Sequence, residues 1–294
     1  MSVREAKPIR LACADFTWRR LPHRANLALI AALGFDGVDI AFIPNYTAID
    51  PTDVRRRPQY WAGVLSERVS SSGLELADFF PIASLDLHAM ALNHPDVTER
   101  KEADDFFRDM LSAAKESGAC GMTIVPGMVF KEPWQDAFDR AVSALQWRVE
   151  EASRQDVPLS VECHIDSVLD TPERAHMCVD RVPGLLLTLD YGHFVQQGIA
   201  QSEVDELLPF ARHVHFRGGG VGIVQTPFGR SEIDFGPIVD KLVNQQFHGW
   251  LSVEYIHDER PGCAQYELTE EVLAAKSFLV ERLAKWSPEI EREH

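Results

Sequence analysis

A chain of 294 residues that is 45% hydrophobic and 25% charged has the composition of an ordinary globular protein, and its length suits one α/β barrel, which takes about 250 residues. The formal net charge of −16 opposes binding to phosphate backbones, no apolar run approaches the roughly 20 residues that span a bilayer, and the apolar stretch after the first charges of MSVREAKPIRLACADF is too short for a secretory signal. The expectation is a cytoplasmic protein whose partner is a small molecule, with neither nucleic acid nor membrane involved.

Short β-like runs recur along the chain: IRLACAD from Ile9, GVDIAF from Gly37, LELADFF from Leu74, CGMTIVP from Cys120, PLSVECH from Pro158, LLLTLDYGH from Leu185, HVHFRG from His213 and WLSVEY from Trp250. Their starts lie 27 to 46 residues apart, room for a helix and two loops each time. Helical patterns fill the gaps. NLALIAALG, from Asn26, closes on Gly34; TERKEADDFFRDMLSAAKESG, from Thr98, closes on Gly118; DFGPIVDKLVNQQFHG, from Asp234, is expected to run to Gly249. A last helix is predicted over 266–286, and the tail 287–294 is expected to fray. With no low-complexity linker or composition break, the predicted fold class is α/β, a single (β/α)8 TIM-barrel domain over 1–294.

Alternate residues of a strand share a face, and the last four strands each have an oily face and a polar one. Ser160, Glu162 and His164 oppose Val161 and Cys163; Thr188 and Asp190 oppose Leu187 and Leu189; His213, His215 and Arg217 oppose Val214 and Phe216; Ser252 and Glu254 oppose Leu251 and Val253. The oily faces suit helices outside a barrel, so the polar faces point inward. Glu162, Asp190, His215 and Glu254 then converge at the C-terminal mouth, where barrel active sites lie.

Three carboxylates packed together resist ionising unless a dication sits between them. Oxygen-rich ligation with one imidazole suits one divalent ion, Mn²⁺ first, with Mg²⁺, Co²⁺ or Zn²⁺ as alternatives. Four protein ligands leave two of six positions open for a substrate carbonyl and its neighbouring hydroxyl. The five cysteines, Cys13, Cys120, Cys163, Cys178 and Cys263, are scattered with no C-x-x-C pair, which argues against a disulfide framework or a thiolate zinc site.

LSVECH, LTLDYGHF, HVHFRG and WLSVEY, with FGRSEIDFGPIVDKLVNQQFHGW, resemble the metal-binding strands of the xylose-isomerase-like barrels, the sugar phosphate isomerases and epimerases. The resemblance covers about 159–255; the N-terminal half agrees in strand spacing alone. It implies Glu162, Asp190, His215 and Glu254 as metal ligands, with Glu162 and Glu254 also moving protons on opposite faces of a carbohydrate substrate. His193 and Arg217 match positions that contact substrate oxygens. The implied activity is a metal-dependent isomerase or epimerase that abstracts a proton next to a carbonyl through a metal-bound enediolate. Two positions depart from the family pattern: Val168 stands where epimerases carry an acid, and Ser231 replaces the second Gly of a G-x-G.

Loss of a β-leaving group from the same intermediate makes a lyase, such as a sugar or cyclitol dehydratase. RGGGVGIVQTPFGRS and VEYIHD also resemble the catalytic subunits of C-glycoside-cleaving enzymes, a reading that brings in a small partner subunit. A homo-oligomer is the other assembly open. The related apurinic-site endonucleases and a barrel that only binds a metal-chelated sugar are the remaining rivals.

Among the remaining polar residues, His213 lies one layer below His215 and is read as a hydrogen-bonded core histidine. His164 either orients Glu162 or sits at the polar rim as a substrate contact. Trp18 is a candidate to stack on a sugar face, Phe16 and His88 to wall the pocket, and Asp39 to support the ligands from beneath. Gly218 to Gly220 are expected to hinge a loop over the site rather than cradle phosphate. Cys163 is read as packing and Arg230 as solvated.

Overall fold

Eight strand-forming runs do pair, each in parallel with the next, and the pairing closes on itself. The computed structural model describes residues 9–257 and 266–286. Its strands are β1 (Arg10–Ala14), β2 (Gly37–Phe42), β3 (Glu75–Pro81), β4 (Met122–Ile124), β5 (Leu159–Glu162), β6 (Leu186–Asp190), β7 (Ala211–Phe216), β8 (Gly218–Gly220), β9 (Ile223–Thr226) and β10 (Trp250–Val253). The barrel order is β1-β10-β7-β6-β5-β4-β3-β2, with β2 back against β1, and β8 and β9 form a separate antiparallel pair. This is the (β/α)8 barrel expected from the spacing. The tail 287–294, expected to fray, and Cys263 lie outside the described residues.

The oily faces pack against helices as strand parity requires: Val161, Leu187, Leu189, Val214, Phe216, Leu251 and Val253 are all fully buried in the main apolar cluster. The helices begin where local chemistry satisfies their first N–H groups. Asp96 accepts from Thr98 N at 2.7 Å to start Val97–Ser117, which ends at Gly118 in the left-handed region. Asp234 does the same for Gly236 N at the head of Phe235–Asn244. That helix stops at Asn244, five residues short of Gly249. Among the described residues no helix is long and apolar enough to cross a membrane.

Two register shifts change what the barrel interior holds. One falls between Leu187 and Thr188 where β6 meets β7, pairing Leu187 with Ala211 and Thr188 with His213, so Arg212 has no partner on β6. The other falls between Val38 and Asp39 where β2 meets β3. Arg212 enters the base of the barrel, donating to Ser160 Oγ at 2.9 Å and Thr123 Oγ1 at 3.0 Å and pairing with the buried carboxylate of Asp78. Thr188 closes this layer through hydroxyl contacts of 2.7 Å to both Ser160 and Thr123.

The glycines expected as a loop hinge instead form a strand. Gly218–Gly220 pairs with Ile223–Thr226, and the hairpin is laced to the end of β10. Gly218 N donates to Tyr255 Oη at 2.8 Å, Tyr255 Oη donates to Thr226 O at 3.2 Å, and Gln225 exchanges two bonds with the backbone of Ile256. Small residues fit because a Cβ on Gly218 would come within 2.5 Å of Thr226 O. Ser231, in place of the family's glycine, accepts from Gly219 N at 3.2 Å and Ile233 N at 3.0 Å, pinning the hairpin to the next turn.

Candidate metal centre

The ends of β5, β6, β7 and β10 bring four side chains to one place. Glu162 and Asp190 are the last residues of β5 and β6, His215 is the penultimate residue of β7, and Glu254 directly follows β10. Asp190 and His215 are register partners, and Glu254 N continues the ladder by donating to Phe216 O at 3.1 Å. Adjacent strands ending at one height therefore place these residues together without loop contortion.

One ligand atom from each of Glu162, Asp190, His215 and Glu254 lies within 4.8 Å of all the others. All four are at most 5% exposed. His215 Nδ1 is 2.9 Å from Glu162 Oε1 and 3.3 Å from Glu254 Oε2. Asp190 Oδ1 accepts from Gly192 N at 2.7 Å, which fixes the carboxylate, while its Oδ2 meets Arg217 in an ion pair. Arg217 Nη1 is also 3.8 Å from Glu254 Oε2, and His193 Nε2 lies 3.6 Å from Asp190 Oδ2.

The electrostatics are those of a site short of positive charge. Burial, reinforced by Glu254 and Glu162 and opposed by Arg217, pushes the Asp190 carboxyl up to about 6. Burial also works against the charged His215 ring, but Glu254 and Glu162 outweigh it and hold the imidazole well above its usual range. For Glu254 the burial penalty is overcome by His215 and Arg217, and its pKa falls below the ordinary carboxylate value. Protons on His215 and the guanidinium of Arg217 thus stand where further cationic charge is needed.

The donor set fits a divalent ion. Asp190 Oδ2 and Glu254 Oε2 are buried with no hydrogen bond of proper geometry, meeting only ion-pair contacts. Buried acceptors left so are costly, and a cation among three carboxylates and an imidazole satisfies them together.

Asp39 sits beneath this group, as inward parity placed it. Its Oδ2 is 2.8 Å from His213 Nε2 and 3.9 Å from His215 Nε2. Asp39, His213 and His215 also lie within metal-ligand reach of one another, but the short Asp39 to His213 bond occupies the atoms that an ion would use.

A cavity of about 260 Å³ opens above the cluster, with Glu162, His164, His193, Arg217 and Glu254 on one side. The His164 and His193 rings lie 4.2 Å apart, and His164 Nδ1 is 2.7 Å from Ile165 O, which places His164 at the rim. The opposite wall is apolar and comes from the ends of β1 to β4: Phe16, Ile43, Phe80, Ile82 and Val125. Sequence reasoning picked out only Phe16 from this wall. The signal was there in part, since FFPIASL runs apolar past the end of β3.

Trp18 is not brought to the cavity. The turn Asp15–Trp18 carries it away, and its indole N–H donates to Thr269 Oγ1 at 3.1 Å. His88 also stays out of the lining, edge-on to Phe130 with Nε2 3.1 Å from Val129 O. Cys163 is buried, where desolvation raises its thiol far above the ordinary range, and Arg230 is exposed.

A family model described as xylose isomerase-like TIM barrel matches residues 27–279. A stretch of 167 residues is 25% identical to an uncharacterized protein of Methanocaldococcus jannaschii, covering 54% of this chain and 61% of that relative, so the chain spans less than two thirds of the relative's length. Among solved structures, D-psicose 3-epimerase from Clostridium cellulolyticum H10 superposes with a TM-score of 0.76 at 16% identity, over 94% of this chain and 99% of its own. An L-ribulose 3-epimerase gives 0.77 at 18%, over 94% and 95%. A 3-keto-D-glucoside 4-epimerase from E. coli gives 0.69 at 12%, over 93% and 99%. At these identities the structural likeness speaks for the fold.

Proposed function

Since the chain belongs to the xylose isomerase-like TIM barrel family, we propose that it is a divalent-metal-dependent isomerase or epimerase acting on a carbonyl-bearing sugar or sugar-like polyol. The observation that carries this reading is the convergence of Glu162, Asp190, His215 and Glu254 within 4.8 Å, buried and adjoining a cavity. Glu162, Asp190, His215 and Glu254 would hold a divalent ion, Mn²⁺ by preference, and it would supply Lewis acidity to a carbonyl-bearing substrate.

The chain's own residues do the rest. Glu162 and Glu254 come from strands on either side of β6 and β7, and both face the cavity. One takes the proton from the carbon beside the carbonyl and the other returns it. Return to the opposite face inverts that carbon, whereas return to the neighbouring carbon moves the carbonyl. The depressed pKa of Glu254 keeps it ionised near neutral pH, the state that a base needs. Arg217 and His193, anchored on Asp190, orient substrate oxygens, and the apolar wall opposite excludes water.

The test is incubation of the Mn²⁺-loaded protein with a panel of keto-sugars in deuterated water, read by mass. One deuteron gained with the carbon skeleton intact is the expected result, and Glu254→Gln should slow that exchange by about 10²- to 10⁴-fold while sugar binding persists. Fragmentation of the skeleton would assign a lyase instead. No exchange with any sugar would remove the proposal.

A further inference from the structure

The two walls of the cavity make different demands on an occupant. The wall built on β5, β6, β7 and β10 is charged, and the wall built on β1 to β4 offers little but hydrocarbon and aromatic surface. Among the described lining residues Arg217 is the single Lys or Arg side chain, and it is committed to Asp190 and Glu254. A phosphate ester placed against the far wall would bury two negative charges without a partner cation. A plain sugar chain would also lose hydroxyl hydration there, with Ser84 and Tyr46 as the described hydroxyls on that side.

The apolar surface does not end at the cavity. A second void of about 70 Å³ lies beside it and shares Ile82, Ser84, Leu87 and Val125 with it. Its farther lining includes Phe106, Phe107 and Met122, and its one described cation, Arg148, donates to Asp104 at 2.8 Å. An apolar group lying over Ile82 and Val125 therefore meets residues that line both voids and, among the described lining residues on that side, no unpaired charge.

Resting on the reading of the site as a sugar isomerase or epimerase, we propose that its substrate class is amphipathic: a non-phosphorylated carbonyl-bearing sugar that carries a bulky apolar or aromatic substituent at the end remote from the metal centre. The sugar's carbonyl end faces Glu162, Glu254 and Arg217, and the substituent lies against Phe80, Ile82 and Val125. Burial of an aromatic ring against such a wall favours it strongly over a methyl group.

The probes are phenyl and methyl 3-keto-β-D-glucopyranoside and D-fructose 6-phosphate, titrated calorimetrically into the Mn²⁺-loaded full chain. The phenyl compound should bind at least about tenfold tighter than the methyl one, and the phosphate ester should bind weakest. In Ile82→Asn or Leu87→Asn, both half-buried positions where thermal melting checks that the fold is kept, the phenyl preference should fall below about threefold. Equal affinities, a preference for the phosphate ester, or an unchanged preference in both variants would overturn the inference. Exchange with plain ketoses but no phenyl preference leaves the proposed chemistry standing and removes this substrate class. A wall-dependent phenyl preference with no exchange anywhere removes the chemistry and keeps the apolar subsite.

Discussion

Asp190 holds its proton up to about pH 6 in the folded chain against an ordinary 3.8. A raised carboxyl pKa contributes stability that is complete below the unfolded value and lost as pH climbs through the folded one. His215, raised well above its ordinary 6.5, acts in the same direction over a higher window. A divalent ion competes with these protons for the same oxygens and nitrogen, so its stabilising effect must grow as they leave. The rise in melting temperature on adding Mn²⁺ to chelator-treated protein should therefore be larger at about pH 8 than at about pH 5. An equal rise at both would mean that the ion does not bind among these groups. At this scale the polar residues of the last four strands were legible, because a period of two is a local property and each strand has a clean oily face. Trp18 was not legible: whether a residue three or four positions past a strand turns inward depends on the following turn and on Thr269, 251 residues away.

Strands and helices follow their local signals less closely at the ends than in the middle. Gly249 was expected as the close of a helix, but the helix stops at Asn244, and the glycine is needed for another reason. A Cβ there would stand 2.1 Å from Arg212 O and 2.3 Å from the Phe247 ring. The bulged entry of β7 and the entry of β10 approach each other through this glycine. Gly249→Ala should cost about 2 kcal/mol, seen as a lower urea midpoint with an unchanged slope. No shift would show that the two strand entries can part freely. The register shifts themselves were hidden from the sequence. Nothing in ARHVHF says that Arg212 will be skipped by β6, since a bulge is decided by the partner strand.

The whole barrel depends on a polar base as well as on its oily jacket. Arg212 joins β7 to Asp78 of β3, Thr123 of β4 and Ser160 of β5, three side chains that are themselves fully buried. Replacing it alone strands the 1% exposed Asp78 carboxylate, so Arg212→Met should destabilise the protein by about 3–5 kcal/mol, and adding Asp78→Leu should restore most of the loss. A double variant no more stable than the single one would show that the pair is not the source of the cost. The eightfold architecture was legible because spacing and hydrophobic runs repeat along the chain. The apolar wall was not, because its residues come from four separate strand ends and share only a direction in space. That arrangement has a consequence for how the protein can change. Because neighbouring staves on one arc of the ring hold every proposed ion-binding side chain, the loops on the other arc can be exchanged, lengthened or re-shaped to suit a new guest while the chemical apparatus is left as it was.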